Sequence, residues 1–451
     1  MGRSTKSQQL RSLIRMLADA SEVIIKEWES EDFSSSDLPT APLPSPELFE
    51  ARRVMVGALG MCLDLVQEPA VRLTDISCAH FTARALHVAA YARVSDILAD
   101  ADPVEGMSVK VISQKTGIGE QKLTRVLRTL CSIHIFSEVK DDHFANNRAS
   151  QCLVKNEYLR AWILLHGLEV YTASDKLLPL LLDSVKSKST SARVTAFADG
   201  IGTDQTAWEY LEEEVKGPDG VLAPRPSLEL WSLAMVGGGH TFASGIYNDY
   251  PWEALGSSTI VDVGGGAGGT SLDLSKMFPS LHFVVEDLSK TIQKAEGVWG
   301  RENPEAIKSG RVKLLPSDFF EEQPVKGAEV YLLRHVLHDW PDDECVTILA
   351  NQRAAMGPGS IILVAEHAIN TTVGSPRLKR APPPLPPNYG YAHQWGNVHD
   401  LVMMAVHNGM ERTPEMLDSL AKRAGLKVTR MWECRGVIAI AELHIDEYSP
   451  E

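Results

Sequence analysis

From Thr259 onward, short β-rich runs alternate with helical patterns, and this alternation confines the second half of the chain to one broad architecture. The runs fall at 259–263, 281–285, 312–315, 330–333 and 360–364, then at 427–432 and 437–441. Strands separated by helices belong in a parallel, doubly wound α/β sheet with helices on both faces. The last two runs are joined only by Glu433-Cys434-Arg435-Gly436, too short for a crossover helix, so an antiparallel hairpin is expected at the C-terminal end.

Upstream the pattern is helical. Apolar residues recur at helical spacing over 7–28, 47–68 and 79–99, and a Ser/Pro/Asp-rich stretch at 29–46 reads as a linker. A helix at 109–115 passes through Thr116-Gly117-Ile118-Gly119 into a second at 120–131, followed by a β-rich run at 135–139 and a polar hairpin at 140–147. Two short helices across a glycine turn with a hairpin behind them predict a winged helix over 84–150. The expected division is therefore a helical N-terminal region over 1–155, a helical connector over 156–245 with a Gly/Pro-rich loop at 217–226, and the α/β region over 246–451. A Pro-rich insertion at 375–387 containing Pro382-Pro383-Pro384 reads as an exposed, extended loop.

Composition narrows the function classes. The 451 residues carry a formal charge of −15, which repels phosphate backbones, and no run of about 18 apolar residues marks a membrane span. The six cysteines show no CxxC spacing, so neither a zinc ribbon nor a disulfide framework is suggested, and a cytoplasmic protein with no nucleic-acid or membrane partner is expected. Lys122, Arg125 and Arg128 lie three apart on the second helix of the winged unit. They keep a DNA-binding regulator open as a minor reading.

Gly264, Gly266 and Gly269 satisfy GxGxxG directly after a strand and before a helix, the place where glycine lets a backbone approach a nucleotide. The charges around the loop favour a sulfonium cofactor, S-adenosylmethionine, over a dinucleotide. Asp262 precedes the first glycine and attracts a cationic methionine moiety. Glu286 and Asp287 end the second strand, where they accept from ribose hydroxyls, and Asp318 follows the third strand beside Phe319, placed to meet the adenine amino group. A pyrophosphate would be repelled by so many carboxylates. A plain glycine turn, and for Asp318 a helix cap, are the structural alternatives.

After the fourth strand comes Leu333-Arg334-His335-Val336-Leu337-His338-Asp339-Trp340-Pro341-Asp342-Asp343. With Ala365-Glu366-His367 and Met410-Glu411-Arg412-Thr413, this segment resembles the plant and fungal small-molecule O-methyltransferases of the caffeic acid and flavonoid type. The resemblance covers 246–451 most strongly and implies a Rossmann-like class I methyltransferase domain behind a winged-helix dimerisation domain. It implies His338 as general base, flanked by Glu366 and Glu411, with Asp339 beside it as a further catalytic residue or a cap, and Arg334 near the adenine. The chemistry agrees, since a neutral imidazole near ~6.5 removes the proton of a phenol near ~10 as the oxygen attacks the methyl group, leaving S-adenosylhomocysteine. His335 and His338 stand three apart at a strand end without an evident set of further ligands, so no metal is expected.

The same resemblance places Trp231, Met235, Phe242, Met403, Met404 and His407 around a flat aromatic or polyketide-derived acceptor, with His166 as a further polar group of the pocket. Met and aromatic residues at helical spacing also read as plain core. The insertion, with Tyr389, Tyr391 and Trp395 after it, reads as a lid, a substrate wall or a solvent loop. A homodimer is expected. Some fungal relatives keep the cofactor and catalyse dehydrations or pericyclic rearrangements, an alternative in which Arg334, His166 or His338 donates hydrogen bonds.

Overall fold

A computed structural model describes residues 5–30, 43–217 and 220–446. Most of the stretch expected as a linker at 29–46, and Pro218 and Asp219 in the expected loop at 217–226, lie outside them. The described chain forms two compact units: 5–30, 43–66, 190–192 and 242–446 make one, and 67–189 with 193–217 and 220–241 make the other. The region expected to end at residue 155 is thus divided between them.

The second unit holds the winged helix. Helices Val109–Thr116 and Glu120–Cys131 meet across Gly117, whose φ of 75° closes the first helix. Strand β1 (Met107–Ser108) pairs with β3 (His143–Asn146), which pairs in turn with β2 (Phe136–Lys140). Leu123, Leu127 and Leu130 on one helical face pack with Phe136 and Phe144 in a shared core. Arg128, on the opposite face, lies 2.7 Å from Glu138 and 3.0 Å from Asp141, so one of the three basic residues is already neutralised within the wing. Part of the loop expected at 217–226 is ordered otherwise: β4 (Glu214–Lys216) pairs antiparallel with β5 (Leu222–Pro224), and a helix begins at Pro226.

The first unit is built on seven strands: β6 (Thr259–Val263), β7 (His282–Asp287), β8 (Val312–Pro316), β9 (Val330–Arg334), β10 (Ile361–His367), β11 (Leu426–Glu433) and β12 (Ile438–Ile445). Their order is β11-β12-β10-β9-β6-β7-β8, with β8 to β10 parallel and the last two antiparallel. The central strands are continuous apolar runs because helices cover both faces, one face burying Val261, Tyr331 and Leu333 and the other Ile260, Phe283 and Leu332. The chain leaves β6 toward β7 on one side and returns to β9 on the other. The crevice at the carboxyl ends of β6 and β9 is therefore the switch point where such sheets bind ligands. No helix among the described residues is long and apolar enough to cross a membrane.

The Pro-rich insertion departs from expectation. Ala381, Leu385 and Tyr389 are buried in one cluster with Leu13, Leu48 and Ala58 of the helices Lys6–Ser30 and Pro46–Val66. Tyr389 donates to Glu50 at 2.7 Å and the Arg53 guanidinium lies 3.8 Å from its ring centroid. Gly57 lets the Tyr389 carbonyl close on the helix, because a Cβ there would collide with it. The segment needs no sheet partner, since prolines lack the N–H a ladder would use, and its apolar residues at every fourth position fill a helical groove. It is a brace for the N-terminal helices and not a free solvent loop. Replacing Tyr389 by Ala should cost about 3–5 kcal/mol and replacing it by Phe about 1 kcal/mol. Denaturant unfolding of the two variants checks this, and equal losses would show that the ring contributes nothing.

Candidate active site

The glycine loop leaves β6 with Gly264 at φ 66° and Gly266 at φ 62°, conformations that favour glycine. Its backbone is held by β7: Gly265 N–H donates to the Glu286 carbonyl at 2.9 Å and Gly266 N–H to the Asp287 carboxylate at 2.9 Å. A Cβ at Gly265 would lie 2.7 Å from the Asp262 carboxyl carbon, so this carboxylate sits directly beneath the loop. Asp262 is buried and accepts from Ser271 Oγ at 2.6 Å. Burial pushes its pKa up to about 6, against the pull of Ser271 and Arg334. The site thus contains a buried acid that lacks a full compensating charge.

The other predicted cofactor residues separate. Asp287 borders the loop, whereas Glu286, next to it on a strand of period two, points its carboxylate to Gln323 at 2.8 Å, which in turn donates to Gln352 at 2.8 Å. Burial pushes Glu286 up to about 7. Asp318 is exposed and accepts the Phe320 N–H at 2.9 Å in a local turn. The Phe319 ring lies against Gly264 and edge-on to Trp340 at 6.1 Å. Arg334 donates to Thr270 at 2.7 Å, at the start of the helix Gly269–Met277. Tyr247, which the sequence does not single out, is hydrogen-bonded to Asp273 and Thr270 near Arg334, and burial raises its pKa. A lone tyrosine before the first strand carries no pattern that would reveal this.

At the end of β9 the backbone turns sharply through His335, at φ 53°, into the single turn Leu337–Asp339. His338 is fixed on three sides. Its N–H donates to Glu366 at 3.0 Å, its Nδ1 lies 2.8 Å from Glu411 Oε1, and its carbonyl accepts the Met410 N–H at 2.9 Å. Buried Arg412 fastens the same turn, donating to the carbonyls of Leu337 at 2.8 Å and Trp340 at 2.9 Å and to Asp342 at 2.9 Å. Asp339 faces His338 Nε2 at 3.5 Å and His407 Nε2 at 3.7 Å.

Two further histidines share Glu411. The Nδ1 atoms of His367, at the end of β10, and His399, on the helix Gln394–His407, lie 3.0 and 2.9 Å from the same oxygen. The expectation of no metal rested on the absence of a ligand cluster, and that premise fails: His338, His367, His399 and Glu411 converge from positions dozens of residues apart. Burial opposes charge on the imidazoles of His335, His338, His367 and His407. At His338 it is outweighed by Glu411, Asp339 and Glu366, and the pKa rises to about 10. At His335 burial wins and the pKa falls well below the usual value, and His367 and His407 fall as well. Although burial works against it, the His338 charge and three hydrogen bonds hold Glu411 well below the carboxylate range. Positive charge is therefore favoured on His338 over His335, His367 and His407.

The predicted acceptor residues lie in both units. Phe242 stands 4.7 Å from Trp395 and edge-on to His367 at 6.4 Å, and Trp395 stacks on His399 at 4.7 Å. Met403 and His407 are buried on the same helix as His399, and Met404 is half-buried. Trp231, Met235 and His166 belong to the second unit. There Trp231 packs edge-on against Phe197 and Trp208 as core, Met235 is exposed, and His166 Nδ1 meets the Trp162 carbonyl at 2.9 Å.

Residues 249–427 match the O-methyltransferase domain family. The chain is 44% identical to O-methyltransferase gedA of Aspergillus terreus, across 96% of each protein. The S-adenosylhomocysteine-bound structure of CalO1, a methyltransferase in calicheamicin biosynthesis, is 26% identical with a TM-score of 0.63, over 83% of this chain and 97% of that one. A pericyclic reaction enzyme shares the fold at 19% identity and a TM-score of 0.68, over 95% of this chain and 99% of that one.

Proposed function

The chain belongs to the S-adenosylmethionine-dependent O-methyltransferases, and we propose that it methylates a hydroxyl group of a small aromatic or polyketide-type metabolite with His338 as general base. The observation that carries this reading is the 2.8 Å contact between His338 Nδ1 and buried Glu411, on a turn at the carboxyl end of the strand beside the glycine loop. Glu411 fixes the tautomer, so Nε2 faces away from it as the proton acceptor. The carboxylates of Glu411, Asp339 and Glu366 raise the His338 pKa, which makes its neutral imidazole a stronger base toward a phenol near ~10.

The residues of the glycine loop fit the methyl donor. The glycines leave a cradle free of side chains, Asp287 stands at its rim, and Asp262 lies beneath it as a buried carboxylate suited to a sulfonium and ammonium. S-adenosylmethionine, when bound, supplies the methyl group to the acceptor oxygen and leaves as S-adenosylhomocysteine. His338 takes the acceptor's proton, Glu411 stabilises the imidazolium, and Phe242 and Trp395 offer apolar surface to a flat ring. The likeness to the pericyclic enzyme concerns the fold alone, whereas relatives above 40% identity over almost the whole chain are O-methyltransferases, which favours methyl transfer. Exposed Leu73, Ile76 and Phe81 on the helix Pro69–Tyr91 support a homodimer, which a light-scattering mass of one chain would rule out.

His338→Gln should lower kcat by about 10²–10⁴-fold while leaving donor affinity within a few-fold. Because the base acts only when neutral and its pKa is raised, kcat/KM of the wild type should climb with pH from neutral toward about 10. A profile already flat above pH 7 would sink the assignment. Donor binding needs ionised Asp262, whose pKa is raised to about 6, so affinity should weaken as pH falls through that value and Asp262→Asn should remove this dependence. Calorimetric titrations between pH 5 and 8 read both effects, and an unchanged pH dependence in the variant would assign it elsewhere.

A further inference from the structure

Three imidazole nitrogens converge on one carboxylate oxygen in a way that hydrogen bonding alone serves poorly. A carboxylate offers about four lone-pair sites over its two oxygens. Here the Nδ1 atoms of His338, His367 and His399 all crowd Glu411 Oε1, at 2.8, 3.0 and 2.9 Å, while buried Oε2 has no hydrogen-bond partner. His367 Nε2 is also buried without a partner. The surroundings are rich in negative charge: Glu366, Glu411, Asp339 and Asp400 face the cluster, and buried Arg412, the neighbouring cation, is already bound to Asp342. All four converging side chains are buried, and their ligand atoms lie within 4.8 Å of one another.

We propose that His338, His367, His399 and Glu411 form a binding site for one transition-metal dication of the zinc type. Three imidazoles and one carboxylate make a tetrahedral set that suits zinc or its surrogate cobalt and not the oxygen-seeking magnesium or calcium. The three Nδ1 lone pairs turn to the ion, and Glu411 supplies an oxygen as the fourth ligand and neutralises part of its charge. No residue outside the cluster is needed. An imidazole bound through Nδ1 keeps its proton on Nε2, so His338 loses the lone pair that accepts the acceptor's proton. Occupancy therefore switches methyl transfer off. This consequence rests on His338 being the base, whereas the binding site does not.

The full chain, freed of metal with EDTA and dialysed, is titrated with zinc chloride and with cobalt chloride in the absence of acceptor. One tightly held ion per chain and the visible spectrum of tetrahedral cobalt are expected. His399→Ala and His367→Ala should each lower zinc affinity by on the order of 100-fold or more, with folding verified by circular dichroism and by donor binding. Failure to bind zinc, or tight binding that survives both substitutions, overturns the site. Should the variants not fold, proton NMR of the cobalt-loaded wild type decides: three hyperfine-shifted exchangeable imidazole protons support the site, and fewer overturn it. One equivalent of zinc should abolish methyl transfer, and EDTA should restore it. Binding at these ligands with undiminished turnover upholds the metal site and instead overturns His338 as the base.

Discussion

The Glu411 carboxylate, buried where the chain turns toward the helix Pro414–Arg423, is the charge around which the catalytic face is arranged. A carboxylate in that position is tolerated only with compensating charge and hydrogen bonds, and breaking a buried pair of this kind costs about 3–5 kcal/mol. Three histidines provide the donors and the Asp400 carboxylate fixes the Glu411 N–H at 2.8 Å. Glu411 in turn decides which way His338 faces. Arg412, the next residue, holds the backbone of the His338 turn from the other side through the carbonyls of Leu337 and Trp340. One dipeptide thus sets both the orientation of His338 and the shape of the loop that carries it. Gly409 belongs to the same arrangement, because any side chain there would run into the His338 carbonyl.

The glycine loop and the catalytic loop are mechanically continuous. They leave the adjacent parallel strands β6 and β9 at the same end, and a Cβ on Gly264 would meet Val336 at 3.1 Å and Phe319 at 3.2 Å. Glycine at that position therefore answers two demands, the positive φ of the cradle and the close approach of the turn before His338. Arg334 extends the continuity from β9 to Thr270, in the first turn of the helix after the glycines. The cradle proposed for the methyl donor and the turn bearing His338, the proposed base, are therefore fixed together. Such fixed relative positioning is what accelerates a displacement in which little else is asked of the protein.

Where the sequence was readable, the reason is local. The parallel strands are continuous apolar runs flanked by turn residues, and the winged helix is punctuated by Gly117, so periodicity and breakers locate both. His338 and its two glutamates were legible only through family resemblance, because the contacts between 338, 366 and 411 are made by the fold. His367 and His399 escaped for the same reason, as nothing in a lone histidine at a strand end or in a helix points to a common partner. Glu286 and Asp287 are both acidic, yet adjacent side chains on a strand face opposite ways, and of the two carboxylates only that of Asp287 reaches the glycine loop. In the insertion, proline-rich composition points to solvent, whereas three apolar residues at a spacing of four are buried by the fold.

The braced insertion explains why the first two helices belong with the catalytic unit. Directly after Tyr389 comes the short turn Gly390–His393, which runs without interruption into the helix Gln394–His407 bearing Trp395 and His399. His393 is tied to the Asn370 backbone at 3.0 Å, just beyond β10, which ends in Glu366 and His367. The start of the helix is thus fixed at two points, by Tyr389 against Glu50 and Arg53 and by His393 against the loop after β10. A shift of the N-terminal helices would move Tyr389, and with it the helix whose next turns hold His399 against Glu411. The precision of a buried charge cluster then depends on a cation–π contact and a tyrosine hydroxyl on the periphery of the same unit. That dependence is the physical reason for spending a buried tyrosine, an arginine and a close-contact glycine on holding an apparently peripheral loop.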